Sequence, residues 1–125
     1  MLEGGKPVPD VIHSAKTPAL EKEIAEHPSL KPQQLLRFFC RLLMPGDGVL
    51  LDPFMGSGST IAACDALRIS SIGIELDPTY FALARRAIPD LAALYPGYFG
   101  ETIEMATVVK SPAAETEQML LLGAV

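Results

Sequence analysis

Two acidic residues bracket a glycine turn in this chain. "VLLD", residues 49 to 52, is a short apolar run ending on Asp52, and "SSIGIE" ends on Glu75, 23 residues later. Between them lies "PFMGSGSTI", with Gly56 and Gly58 spaced for a tight strand-to-helix connection. In open α/β sheets, ligands bind outside the carboxyl ends of the strands. An acid about 20 residues past a Gly-rich turn commonly accepts hydrogen bonds from a ribose. The turn lacks the third glycine of a dinucleotide fingerprint and the lysine of a phosphate-cradling loop. Asp52 adds a carboxylate to the same space, where it repels a phosphate and attracts a cation. A nucleoside cofactor carrying an ammonium and a sulfonium meets those demands, and S-adenosyl-L-methionine is the obvious member of that class. A nicotinamide dinucleotide is the weaker rival.

Periodicity gives the elements that must position these residues. "TPALEKEIAEHP" predicts a short helix capped by Thr17, with Pro18 in its first position and Leu20 and Ile24 on one face. In "HPSLKPQQLLRFFCRLLMPGDG", Pro32 fits a first turn, and Leu35, Phe38, Phe39, Leu42 and Leu43 form a broad apolar stripe that Pro45-Gly46 ends. "GVLLDPF" and "SSIGIEL" predict two strands buried on both faces. "STIAACDALR" and "TYFALARRAI" predict helices after each, the second opened by Asp77-Pro78 with Tyr80, Leu83 and Ala84 on one face. Strand, helix, strand, helix is the order of a parallel βαβ architecture, and a right-handed crossover puts both strand ends on one edge. The fold class expected is α/β, a partial Rossmann-like arrangement with an incomplete sheet. Residues 1–26 read as an irregular lead-in with one short helix, 27–95 as the cofactor-binding βαβ region and 96–125 as a C-terminal extension. Within that extension, "TIEMATVV" predicts a strand, and Ser111-Pro112 caps a helix through "ETEQMLLL", whose residues 119–122 read as a packing element.

Composition narrows the setting. The chain has 125 residues, 49% of them hydrophobic, which bounds it to one globular domain. No apolar run approaches a membrane span, and the first residues lack the layout of a secretory signal. Cys40 and Cys64 have neither metal-ligand nor disulfide-framework spacing and read as reduced core residues of a cytoplasmic protein. His13 and His27 lack a second ligand at metal spacing; His27 is placed to fix the turn before Pro28. The Phe38–Phe39 pair reads as core, and Arg85 and Arg86 as a solvated helix face. A net charge of −5 leaves no basic face for nucleic acid, so any DNA contact surface must come mostly from other residues.

"LDPFMGSGSTI" followed by "IGIELDP" resembles the cofactor-binding motifs of DNA amino-methyltransferases, which modify N6 of adenine or N4 of cytosine. "HPSLKP", residues 27–32, resembles their His-Pro-Ser/Thr-x-Lys-Pro segment, and its place before the Asp-Pro-Phe turn is the order of the circularly permuted β class. The resemblance covers residues 27–88. It implies that S-adenosyl-L-methionine lies between these motifs, with Ser29 and Lys31 at its methionine end and Lys31 facing the carboxylate. Asp52 would sit at the amino group and Phe54 against the cofactor. Gly56, Ser57 and Gly58 would let the backbone approach, with Thr60 on the first helical turn, and Glu75 would accept the ribose hydroxyls. Leu30 replaces a frequent glutamine, and Ser59 a frequent threonine.

The family's catalytic motif is Asp, Asn or Ser, then Pro-Pro, then an aromatic residue; it holds a flipped base and its exocyclic amine. No two prolines are adjacent in this sequence. In the β class that motif and the target-recognition region precede the His-Pro segment, where this chain has residues 1–26. The chain is therefore expected to resemble a C-terminal, cofactor-binding portion that is catalytically incomplete alone, with self-association or a partner chain covering its apolar strand edges. Two other readings stay open: a cofactor-binding module that regulates a partner enzyme, and a structural remnant.

Overall fold

A computed structural model describes residues 11–44 and 46–100. Its elements are α1 (Ala19–Ile24), α2 (Gln33–Leu43), β1 (Val49–Asp52), α3 (Ser59–Ala66), β2 (Ser70–Gly73) and α4 (Pro78–Ala93). The expected strand in "TIEMATVV" and the helix with residues 119–122 lie outside the described residues, as does Pro45.

β1 and β2 pair in parallel, from Val49 opposite Ser70 to Asp52 opposite Gly73. The ladder runs on past both strands: the Ile74 N–H donates to the Asp52 carbonyl at 2.9 Å, and the Met55 N–H to the Ile74 carbonyl at 3.0 Å. Both strands therefore deliver their acidic ends to one edge. α3, rich in small residues, lies between α2 and α4 and against both strands. Ala62 packs with Ala25, Leu30, Ala87 and Leu91, while Ala63 and Cys64 pack with Cys40, Leu36 and Leu50. Ala and Cys leave room for neighbours on several sides, where a Leu would hold them apart.

The strands are not buried on both faces, contrary to expectation. Val49 and Leu51 are each 58% exposed, with Ile72 at 55% and Ile74 at 51%. Partners in register share a face, so these branched side chains form one open stripe, while Leu50 points into the helical layer. α3 covers one side of the pair, and no described element covers the other.

The helix starts also differ in detail. Thr17 does not cap α1; its hydroxyl donates to the Leu30 carbonyl at 3.0 Å, and Pro18 occupies the N-cap position. Pro32 likewise flanks α2 as its N-cap rather than entering its first turn. α2 buries Gln33, Arg37, Phe38 and Cys40, with Leu35, Phe39 and Leu42 half-buried and Leu43 67% exposed, so the packed face takes in most of the apolar stripe and extends past it to two polar residues. Arg37 on that face reaches the end of α4. Its guanidinium donates to the carbonyls of Leu91, Ala92, Tyr95 and Tyr98 at 3.1 to 3.4 Å, satisfying acceptors that a helix end leaves open and complementing its dipole. α4 accordingly continues to Ala93 across Pro89. Its start is as expected: Asp77 accepts the N–H groups of Thr79 and Tyr80 with Pro78 behind it. Cys40 and Cys64 are buried and unbridged, their sulfurs 3.8 Å apart. No helix among the described residues is long and apolar enough to cross a membrane.

Gly58 holds α3 to this layer. Its φ is +84°, and a Cβ there would lie 2.6 Å from Ile88 Cγ1. Gly58→Ala should lower the unfolding free energy by about 2–4 kcal/mol, combining left-handed strain with overpacking. Gly46→Ala, at φ +56° with open space around it, should cost about 1 kcal/mol. Urea denaturation of both variants measures the difference; equal losses would contradict the packing role of Gly58.

Candidate functional site

The acidic edge is built from backbone outward. Asp52 ends β1 half-buried, and its carboxylate turns back to accept the Phe54 N–H at 3.1 Å. That local turn, an aspartate bonding two residues on, leaves the Phe54 ring 87% exposed at the sheet edge. The chain then reverses through Gly56, φ +55°, where a Cβ would lie 2.9 Å from His27 Cε1. Glu75, half-buried past the end of β2, reaches across to this turn. Its Oε2 accepts the Gly56 N–H and its Oε1 the Asp77 N–H, both at 2.9 Å. One carboxylate thus ties the glycine turn to the start of α4.

Segment 27–32 packs against the same turn. His27 Nδ1 accepts the Ser29 N–H at 3.0 Å and its carbonyl the Leu30 N–H at 3.2 Å, which fixes the bend before and through Pro28. Its ring sits beside Gly56 and edge-on to Tyr80, with centroids 4.3 Å apart. The Lys31 N–H donates to Ser59 Oγ at 3.4 Å, while the Lys31 ammonium donates to the Ser29 carbonyl at 2.9 Å. Ser29 and Lys31 are exposed. Ser57 is 2% exposed and its hydroxyl lies 3.4 Å from that of Ser59. Thr60 lies half-buried in the first turn of α3. The structure thereby joins Asp52, Phe54, Gly56, Ser57, Gly58 and Glu75 in one edge, with Lys31 and Ser29 on the neighbouring segment. An open hollow of about 1050 Å³ is lined by His27, Pro28, Leu30, Lys31 and Pro32 of this segment and by residues before it, but by none of the turn residues. Among the described residues, no group of three or more His, Cys, Asp or Glu is placed to hold a metal.

Comparison with known proteins places this geometry. The family model for DNA methylases of the N6/N4 class matches residues 3–86. The chain belongs to the N6/N4 DNA methylase family. Among its relatives, this N6/N4 methylase chain is 36% identical to the type II methyltransferase M2.DpnII of Streptococcus pneumoniae over 88 residues, covering 70% of this chain and 32% of that protein. It is 30% identical over 102 residues to the type II methyltransferase M2.MboI of Moraxella bovis, covering 82% and 37% respectively. The M1.HpyAVI–SAM complex, a solved structure, is similar at 38% identity and a TM-score of 0.48, over 50% of this chain and 32% of that one. The methylase chain spans about a third of the length of these relatives.

A buried polar group was not foreseen from the sequence. Glu21 and Gln33 are fully buried and Arg37 nearly so. Glu21 accepts the Gln33 N–H with both oxygens, at 3.2 and 3.1 Å, and the Tyr95 hydroxyl at 2.9 Å. The available signal was Gln33 and Arg37 at i and i+4, a polar pair on one helix face flanked by Leu36 and Cys40. Burial raises the pKa of the Tyr95 hydroxyl to about 12, reinforced by its bond to the Glu21 carboxylate. Burial also raises the Glu21 carboxyl above 4.5, against the opposing pull of Tyr95, the Gln33 N–H and Arg37. The folded state therefore holds this proton more tightly than the unfolded state. The resulting contribution is greatest below the unfolded value and is lost as pH rises through the folded one. Glu21→Gln removes this contribution, so the variant's melting temperature relative to the unmodified chain should rise from about pH 4 to about pH 7. Thermal melts across that range measure it; a falling difference would contradict the raised value.

Proposed function

We propose that residues 27–95 bind S-adenosyl-L-methionine as the cofactor part of a site-specific DNA methyltransferase that modifies the exocyclic amine of adenine (N6) or cytosine (N4). The observation that carries this reading is the pair of carboxylates, Asp52 and Glu75, at one sheet edge on either side of a turn that Glu75 itself holds through the Gly56 N–H. Such an edge favours a ligand with positive charge and hydroxyl donors over a phosphate.

The residues present fit that cofactor. Each Glu75 oxygen accepts one backbone N–H and keeps a further lone pair for a ribose hydroxyl. Asp52 offers its carboxylate to the ammonium, and the exposed Phe54 ring offers an apolar face. Gly56, Ser57 and Gly58 form the turn between the two carboxylates, tied to Glu75 through the Gly56 N–H. Lys31 and Ser29 stand on the adjoining segment for the methionine carboxylate, and Thr60 supports the first turn of α3. The bound cofactor supplies an activated methyl group on a sulfonium. This chain's part is to hold it at the sheet edge.

Methyl transfer needs more than this edge. The Pro-Pro-aromatic tetrapeptide that positions the amine does not occur in the 125 residues, so the chain alone is inactive in methyl transfer, and residues outside this sequence supply that motif. They supply most of the DNA contact too, since a net charge of −5 opposes phosphate binding. The open stripe of Val49, Leu51, Ile72 and Ile74 supports the packing of that additional polypeptide on the sheet.

Calorimetric titration with S-adenosyl-L-methionine tests the reading. Saturable binding is expected, with Glu75→Ala weakening it by about tenfold or more and Asp52→Asn by less, as charge-assisted hydrogen bonds are lost. Absence of binding, or binding indifferent to both substitutions, would contradict it.

A further inference from the structure

The buried polar residues among those described form one connected set: Glu21, Gln33, Arg37, Ser57 and Ser59 are each no more than 5% exposed. Gln33 stands at its centre. Its backbone N–H donates to both Glu21 oxygens, and its side-chain Nε2 donates to the Ser59 carbonyl at 2.8 Å. Ser59 is the first residue of α3, directly after the left-handed Gly58. The Ser59 hydroxyl lies 3.4 Å from Ser57 Oγ and accepts the Lys31 N–H at 3.4 Å. The carbonyl that Gln33 grips is thus in the residue where the glycine turn and segment 27–32 meet.

Stability does not call for this residue. Gln33 is fully buried, and its Oε1 has no hydrogen-bond partner. A buried amide with an unpaired oxygen is a poorer core element than an apolar side chain of similar volume. Its donor arm, by contrast, reaches the carbonyl of the residue that directly follows the glycine turn. α1 holds the other end: the Glu21 carboxylate fixes the Gln33 backbone, and Tyr95 fixes the carboxylate. Ser57 is the member of this set that lies in the glycine turn, and Gln33 reaches it through Ser59.

We propose that Gln33 is a positioning residue for the cofactor site: its side-chain amide locks the first turn of α3 against segment 27–32 and so sets the backbone of residues 56–58. The inference rests on the reading of that turn as the S-adenosyl-L-methionine site. Linkage makes it reciprocal: a bond that favours the bound cofactor is itself strengthened by the cofactor.

The test compares two buried polar residues that differ in what they hold. Arg37 bonds the carbonyls of Leu91, Ala92, Tyr95 and Tyr98, at the end of α4 and just past it, and none on the turn. Arg37→Met should therefore lower the melting temperature and leave cofactor affinity within about twofold. Gln33→Met should weaken affinity by about tenfold, the loss of one hydrogen bond of ordinary net strength, with a smaller fall in melting temperature. A second measurement needs no variant: in the unmodified chain, hydrogen exchange at the Gln33 side-chain amide should slow by about tenfold when S-adenosyl-L-methionine is added. Full affinity in Gln33→Met, or exchange unchanged by bound cofactor, overturns the positioning role alone. No binding by the unmodified chain overturns the functional reading and this inference together.

Discussion

The hydrogen bond from the Gly56 N–H to the Glu75 carboxylate, 2.9 Å long, is the contact around which the site is organised. It forms only if three conditions hold. β1 and β2 must pair in parallel and in register, so that Asp52 and Glu75 reach the same edge. The ladder must continue through Ile74, which places Met55 and the turn beside the end of β2. Gly56 and Gly58 must take positive φ, close against His27 and Ile88. Each oxygen of that carboxylate holds one backbone N–H and keeps further acceptor capacity.

Much of this was legible in the sequence because it depends on local chemistry. Asp77-Pro78 states a helix start in two residues, and the structure has that cap. Gly56 and Gly58 state a turn where L side chains do not fit. Asp52 and Glu75 fall at strand ends because the apolar runs before them have strand length. Their meeting at one edge then follows from the handedness of the crossover. His27 as the residue that fixes the Pro28 bend was readable for the same reason.

What was not legible depends on partners distant in the chain. The apolar runs of β1 and β2 look like strands buried on both faces, yet the described helices cover one side only, and sequence alone does not show which side is left open. α2 carries a convincing apolar stripe, but its packed face also holds Arg37, whose partners are the C-terminal carbonyls of α4, while Leu43 stays exposed. The helix read as "TYFALARRAI" ends at Ile88, whereas α4 runs past Pro89 to Ala93, with carbonyls at its end held by Arg37. Gln33 and Glu21 carry no apolar signal and are buried nonetheless, because each meets a partner 12 or more residues away. Hydrophobic periodicity carries no signal for such a pair.

On the proposed reading, the edge formed by Asp52, the glycine turn and Glu75 receives S-adenosyl-L-methionine. Amide resonances followed during addition of the cofactor test it most directly, because the N–H groups of Gly56 and Asp77 donate to Glu75 and that of Phe54 donates to Asp52. With the cofactor at this edge, these three amides should move most and saturate together. Shifts confined to the hollow lined by Lys16, Lys22 and Glu26, with the three amides unmoved, would contradict it.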